Sequence, residues 1–147
     1  MLTVDANVLV YSQDGRDPRK QLIAREIIAG LHPSSARMTT IVLGEFFRAS
    51  TRKLLTMLEA RRCLEDFFSL VPVVRYSEEN VLIAAAMAHQ GRFSFWDGVI
   101  LSCAEDAGCT ICLSEDMADG ARCGKITVRN PFGPRGLAPE IRALLLP

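Results

Sequence analysis

The first apolar run, "LTVDANVLVYS" over residues 2–12, carries Asp5 and Asn7 where a buried strand should carry hydrocarbon. A carboxylate entering a core is costly unless other groups compensate it. Any fold this chain adopts must therefore supply Asp5 with partners, and those partners come from distant sequence.

Glycine, proline and capping residues divide the rest of the chain into short elements. Strand one spans about residues 2–5, and "NVLVYS" begins a short helix. Asp17 before Pro18 marks the start of a helix reaching to Leu31, because a capping acid is followed by proline at the first helical position. "ARMTT" is a short extended segment leading into a helix over 40–53, and a further helix covers 56–70. "PVVRY" is a strand, and Ser77 opens a helix ending near Gly91. Ser94 caps another helix that stops at Gly108; "CTICLS" and "KITVRN" are strands, and Pro139 starts a last short helix. Strands separated by helices predict an α/β sandwich around a mainly parallel sheet. The 147 residues are expected to form a single domain.

Composition narrows the classes further. Seventeen basic residues balance seventeen acidic ones, so no global field announces a polyanionic partner. Asp5 interrupts the N-terminal apolar run before signal-peptide length, and "VLIAAAMA" is too short to span a bilayer, so a cytoplasmic protein without membrane contact is expected. Five cysteines include Cys109-x-x-Cys112, but no second pair and no nearby histidine completes a zinc set. Buried, reduced thiols are the expectation.

In β-α-β units, strand C-termini and helix N-termini meet at one edge of the sheet, where ligands of open α/β folds bind. Asp5 ends the first strand, Glu45 lies early in the helix over 40–53, Asp97 lies in the first turn after Ser94, and Asp116 follows "TICLS". Each has a simpler reading. Ser94-x-x-Asp97 matches a capping box, Asp116 fits a turn, and Glu45 falls at the margin of an apolar stripe. Asp5 has the poorest such reading, with Asn7 placed to orient it. Two carboxylates about 4 Å apart repel by roughly 4 kcal/mol at an effective dielectric near 20, so four together must share protons, spread out or bind a cation. Oxygen ligands select Mg²⁺ or Mn²⁺, whose activation of water suits phosphodiester hydrolysis.

The segments "VDANVLVYS", "TTIVLGEFFRAS", "SFWDGVILSCAEDAGC" and "CLSEDMADG" together resemble those of PIN-domain ribonucleases, in particular VapC-type toxins of toxin–antitoxin pairs. The resemblance covers nearly the whole chain in order and spacing. It implies a PIN-like three-layer α/β/α sandwich in which Asp5, Glu45, Asp97 and Asp116 hold one or two divalent ions. It further implies support from Asn7 and Ser114, with Asp119 as an extra acid of the same loop; Glu115 leaves open which carboxylate of its pair faces the ion. Single-stranded or structured RNA as substrate, with tRNA common among such toxins, cleavage leaving a 3′-hydroxyl, a homodimer and an antitoxin whose peptide crosses the site are implied as well.

RNA contact needs cations near the acidic edge. Arg16, Arg48, Arg52 and Arg92 are the candidates, with Arg19, Lys20 and Lys53 nearby. Phe93, Phe95 and Trp96 could stack bases, but Trp96 falls on the stripe of Val99, Ile100, Cys103 and Ala107 and core packing is the expectation for it. Two alternatives compete. An aspartyl-phosphate phosphatase would need a lysine such as Lys125 reaching the same edge, and a non-catalytic RNA- or partner-binding module would use the acids structurally.

Overall fold

The computed structural model describes residues 1–134 and 136–145. The chain begins with β1 (Leu2–Val4), α1 (Ala6–Gln13), α2 (Pro18–Ala29) and β2 (Met38–Thr39). It continues through α3 (Thr40–Lys53), α4 (Met57–Leu70), β3 (Val73–Val74), α5 (Glu78–His89) and α6 (Phe95–Asp106). β4 (Ile111–Leu113), β5 (Arg122–Cys123), β6 (Ile126–Arg129) and α7 (Pro139–Leu145) complete it.

Strands β1, β4 and β6 pair in parallel, and β5 closes the edge antiparallel to β6, giving the order β1-β4-β6-β5. A second parallel pair, β2-β3, is tied to the sheet by the bridge between Leu2 and Ala36. Adjacent strand residues face opposite sides of the sheet, and both sides are covered. Leu113 packs in a cluster with Leu2, Val8, Ile27 and Phe46, whereas Cys112 packs with Leu101, Cys123, Ile126 and Val128. The mainly parallel α/β architecture expected from the sequence is therefore present.

The start signals act as their chemistry predicts. Asp17 accepts from the Lys20 amide with Pro18 behind it, and Thr56 and Ser77 close full capping boxes on α4 and α5. The last turn of α2 ends at Ala29 rather than Leu31, with Gly30 as its C-cap. The antiparallel β5 was not expected. Its turn runs through Gly124 at φ +53°, the first position of a two-residue loop that demands positive φ. Of the five cysteines, Cys103, Cys109, Cys112 and Cys123 are buried, Cys63 is half-buried, and all are free thiols.

Two features bring the start of α6 and the ends of β1 and β4 into position. α5 and α6 pack closely enough that a Cβ on Gly98 would lie 3.0 Å from the Ala84 Cα and 3.1 Å from its Cβ, so the helices meet with only the Ala84 methyl at the contact. The parallel register Val4–Leu113 sets the next residues, Asp5 and Ser114, side by side where the two strands end.

Candidate active site

Asp5 leaves β1 and caps α1, its Oδ1 accepting from the Ala6 amide at 2.7 Å. Its residual exposure is 6%. Oδ2 accepts from Ser114 Oγ at 2.6 Å and from Asn7 Nδ2 at 2.8 Å, so the buried charge is met by three donors. Asn7 extends the network: Nδ2 also lies 3.2 Å from Ser114 Oγ and 3.3 Å from Asp116 Oδ2, and Oδ1 accepts from the Glu115 amide at 3.4 Å. One amide side chain thus connects the ends of β1 and β4.

Asp5, Glu45, Asp97 and Asp116 line one cavity of about 370 Å³, together with Asn7, Tyr11 and Arg48. The four carboxylates come from β1, α3, α6 and the loop after β4. A cavity of about 600 Å³ lined by Phe68, Pro72 and Arg75 is larger but contains no carboxylate. Burial, followed by the charges of Asp97 and Asp116, pushes the Asp5 carboxyl above its ordinary value, against the opposing hydrogen bonds of Ser114 and Ala6. Burial raises Glu45 as well, reinforced by the charges of Asp5, Asp97 and Asp116 and opposed by Arg48.

Asp97 departs from its simpler reading. Its amide donates to Ser94 Oγ at 3.3 Å, but its carboxylate does not close the box, and α6 is capped from one side only. The side chain is left to the cavity. Glu115 is resolved in the opposite sense. It ion-pairs with Lys20 at 2.7 Å and accepts from Tyr11 Oη at 2.6 Å, while Asp116 lines the cavity. Burial alone would raise the Glu115 carboxyl, but Lys20 and Tyr11 outweigh it and hold it below its ordinary value. The same contacts push Lys20 up to about 12.

Asp119 does not join the group. Its Oδ1 accepts from the Asn130 amide at 2.9 Å and faces Arg129 at 3.8 Å, which commits it to the loop after β6. Of the arginines expected to meet RNA, only Arg48 lines the cavity. Arg16 is held by Asp14 at 2.6 Å, and Arg92 donates to the Arg122 carbonyl. Arg52 is exposed one turn beyond Arg48 on α3. Trp96 corrects the sequence expectation: it is 50% exposed, because the first turn of α6 overhangs the core at the same edge where Asp97 enters the cavity. Val99, Ile100 and Cys103 behind it are buried as expected. Tyr11, too isolated in the sequence to interpret, lies four residues after Asn7 on α1 and so shares its face.

The donor set is made of carboxylates and an amide, with no histidine or cysteine on the cavity wall. That chemistry fits a hard dication rather than zinc. Among the described residues, no three acid, histidine or thiol side chains are grouped to ligate one ion directly. Mg²⁺ requires only one or two carboxylates and retains several waters, so the spread of the four groups fits it. Among the described residues no lysine lines the cavity, and Lys125 donates its amide to Glu105 at the β5–β6 turn. This placement sets Lys125, the lysine named for the phosphatase alternative, away from the cavity, and Lys20 at the same edge is paired with Glu115.

The PIN domain family model matches residues 2–118. The chain belongs to the PIN domain family. All four carboxylates lie within the matched PIN segment. The PIN domain also resembles solved structures at low sequence identity. The sarcin-ricin loop cleaving toxin VapC20 of Mycobacterium tuberculosis matches with a TM-score of 0.66 at 18% identity, covering 79% of this chain and 90% of that one. A toxin–antitoxin complex from Klebsiella pneumoniae matches at 0.63 and 14%, covering 86% and 96%. VapBC2 from Rickettsia felis, bound to a promoter DNA fragment, matches at 0.61 and 16%, covering 88% and 97%. These likenesses concern the fold. No curated protein matches the sequence, and among the described residues no helix is long and apolar enough to cross a membrane.

Proposed function

We propose that this PIN domain is a divalent-metal-dependent endoribonuclease, with Mg²⁺ as the ion and Mn²⁺ as a substitute, acting as the toxin of a cytoplasmic toxin–antitoxin pair. The observation that carries the reading is the convergence of Asp5, Glu45, Asp97 and Asp116 on one cavity, where burial, reinforced by mutual repulsion, raises Asp5 and Glu45. A group of carboxylates that repel one another in a confined space is relieved by a cation.

When bound, the dication supplies activation of water and neutralisation of charge on the phosphodiester. The chain's own residues provide the rest. Asp97 and Asp116 offer carboxylate oxygens from the rim, and Asp5 offers charge from the buried end. Ser114 and Asn7 fix Asp5 by donating to the same oxygen, so its orientation is set before any ligand arrives. Arg48, which has no ion-pair partner among the described residues, presents a guanidinium beside the acids that can take a phosphate oxygen.

Toxin–antitoxin assemblies among the structural neighbours support an antitoxin as partner, and a homodimer is part of the same proposal. The test is incubation of the purified protein with RNA in Mg²⁺ or Mn²⁺, followed by analysis of the new ends. Cleavage leaving 3′-hydroxyls and abolished by EDTA is expected; cleavage that continues in EDTA, or none in either metal, contradicts the proposal.

A further inference from the structure

Beside the acidic cavity lies a second cleft of about 400 Å³ lined by Ile41, Gly44, Glu45, Arg48, Tyr76 and Trp96. Glu45 and Arg48 line both spaces, so the two form a continuous surface. We infer that this cleft is a stacking subsite for an unpaired nucleobase of the RNA strand, adjacent to the nucleotide whose phosphate enters the acidic cavity. The inference rests on the ribonuclease reading and adds to it a base-binding subsite and the residues that form it.

The aromatic pair carries the argument. Trp96 is 50% exposed and Tyr76 is 43% exposed, although both have large apolar rings. Phe95 packs edge-on against Trp96, with ring centroids 5.0 Å apart, which braces the indole at the mouth of the cleft. An exposed, braced ring has a π face that any base can cover, without regard to sequence. Arg48 stands between the aromatic cleft and the acids, where a guanidinium can take the phosphate that joins two successive nucleotides.

The α3 side of the cleft is also built to stay open. Gly44 lies one helical turn before Arg48, and a Cβ there would meet nothing within 4 Å. Glycine inside a helix weakens it, so the sequence accepts a local cost at a position where a larger side chain would project into the cleft. The mixed lining of aromatic, cationic, carboxylate and hydroxyl groups suits the flat face and polar edge of a base.

Trp96 is the single tryptophan of the chain, which makes it an internal probe. Three measurements test the inference: tryptophan fluorescence of Asp116→Asn in Mg²⁺ during titration with a short single-stranded oligoribonucleotide; steady-state cleavage by wild type, Trp96→Ala, Trp96→Phe and Gly44→Leu; and the same kinetics on a substrate with one abasic nucleotide beside the cleaved bond. The expected results are saturable quenching and a KM raised about 5- to 150-fold in Trp96→Ala, the span that base–aromatic stacking gives. The kcat should be little changed, because the ring touches no reacting atom. Trp96→Phe should recover most of the affinity, Gly44→Leu should reproduce the loss with the fold intact, and the abasic substrate should not weaken Trp96→Ala further.

Wild type that cleaves RNA while these variants keep its KM and the bound oligoribonucleotide leaves the fluorescence unchanged overturns the subsite and leaves the ribonuclease reading standing. Quenching without cleavage by wild type does the reverse. Unchanged RNA kinetics with loss of a co-purifying protein partner from Trp96→Ala would assign the cleft to that partner and overturn the inference.

Discussion

Ser114 Oγ donates to Asp5 Oδ2 at 2.6 Å across the ends of two parallel strands 109 residues apart. The contact follows from the register that sets Val4 opposite Leu113, so the sheet itself delivers the donor that the N-terminal acid requires. A hydroxyl bonded to a carboxylate in a fully buried position is among the stronger protein hydrogen bonds. Ser114→Ala should destabilise the fold by about 1–3 kcal/mol and lower kcat with little change in KM. Urea unfolding and steady-state kinetics measure both. Wild-type values for the two would show that Ser114 does not position Asp5.

Asp5 and Asp97 should separate when mutated, although both line the cavity. Asp97→Asn removes a carboxylate that makes no hydrogen bond of its own among the described residues, so stability should stay within about 0.5 kcal/mol while cleavage falls on the order of 10²- to 10³-fold. Asp5→Ala removes the same kind of charge but also the N-cap of α1 and the acceptor for Ser114 and Asn7. It should lose cleavage and about 1–2 kcal/mol of stability together. Paired melting curves and activity assays distinguish the two, which makes Asp97→Asn the cleaner probe of chemistry.

Two helical glycines should respond with opposite sign to the same substitution. Gly44→Ala gains helix propensity and adds a methyl where nothing is near, so it should stabilise by about 1 kcal/mol. In Gly98→Ala the new methyl meets the Ala84 backbone at 3.0 Å and forces α5 and α6 apart. Overpacking there should outweigh the propensity gain and give a net loss of about 1–3 kcal/mol. Because α6 carries Asp97, the loss should be accompanied by reduced cleavage. Chemical denaturation of both variants decides the signs.

Acid should weaken the fold through Asp14, away from the cavity. Hydrogen bonds from the Arg16 side chain and amide hold its carboxyl down from 3.8 to about 2. A depressed acid contributes stability that is fully present above its unfolded value and is lost as pH falls from about 3.8 through about 2. With Arg16 largely in solvent, that contribution is on the order of 1–2 kcal/mol. Asp14→Asn should be less stable than wild type at neutral pH, and the gap should close on acidification. A constant gap across the titration would contradict the assignment.

The strand-end and helix-start logic was readable from the chain because it depends on local chemistry. Asp17-Pro18, Thr56, Ser77 and Ser94 mark helix starts through donors and acceptors within a single turn. Four acids could be sent to one edge by connectivity alone. Contacts set by tertiary approach were not readable. That Glu115 turns to Lys20 and Tyr11 while Asp116 turns to the cavity depends on α2 lying beside the β4 loop. Trp96 shows the limit of helical periodicity, which identifies a face but not how far along the helix that face remains covered. Asp119 was misplaced for a related reason: proximity to Asp116 in sequence does not specify which side of the loop a side chain takes.

Under the proposed function, Asp97 and Asp116, and not the neighbouring Glu115, would hold a hard dication. Calorimetric titration with Mn²⁺ of wild type, Asp97→Asn, Asp116→Asn and Glu115→Gln tests it directly. Saturable binding by wild type, weakened at least about tenfold in the two aspartate variants and retained in Glu115→Gln, is the predicted result. Equal Mn²⁺ affinity in all four proteins, or a loss confined to Glu115→Gln, would contradict it.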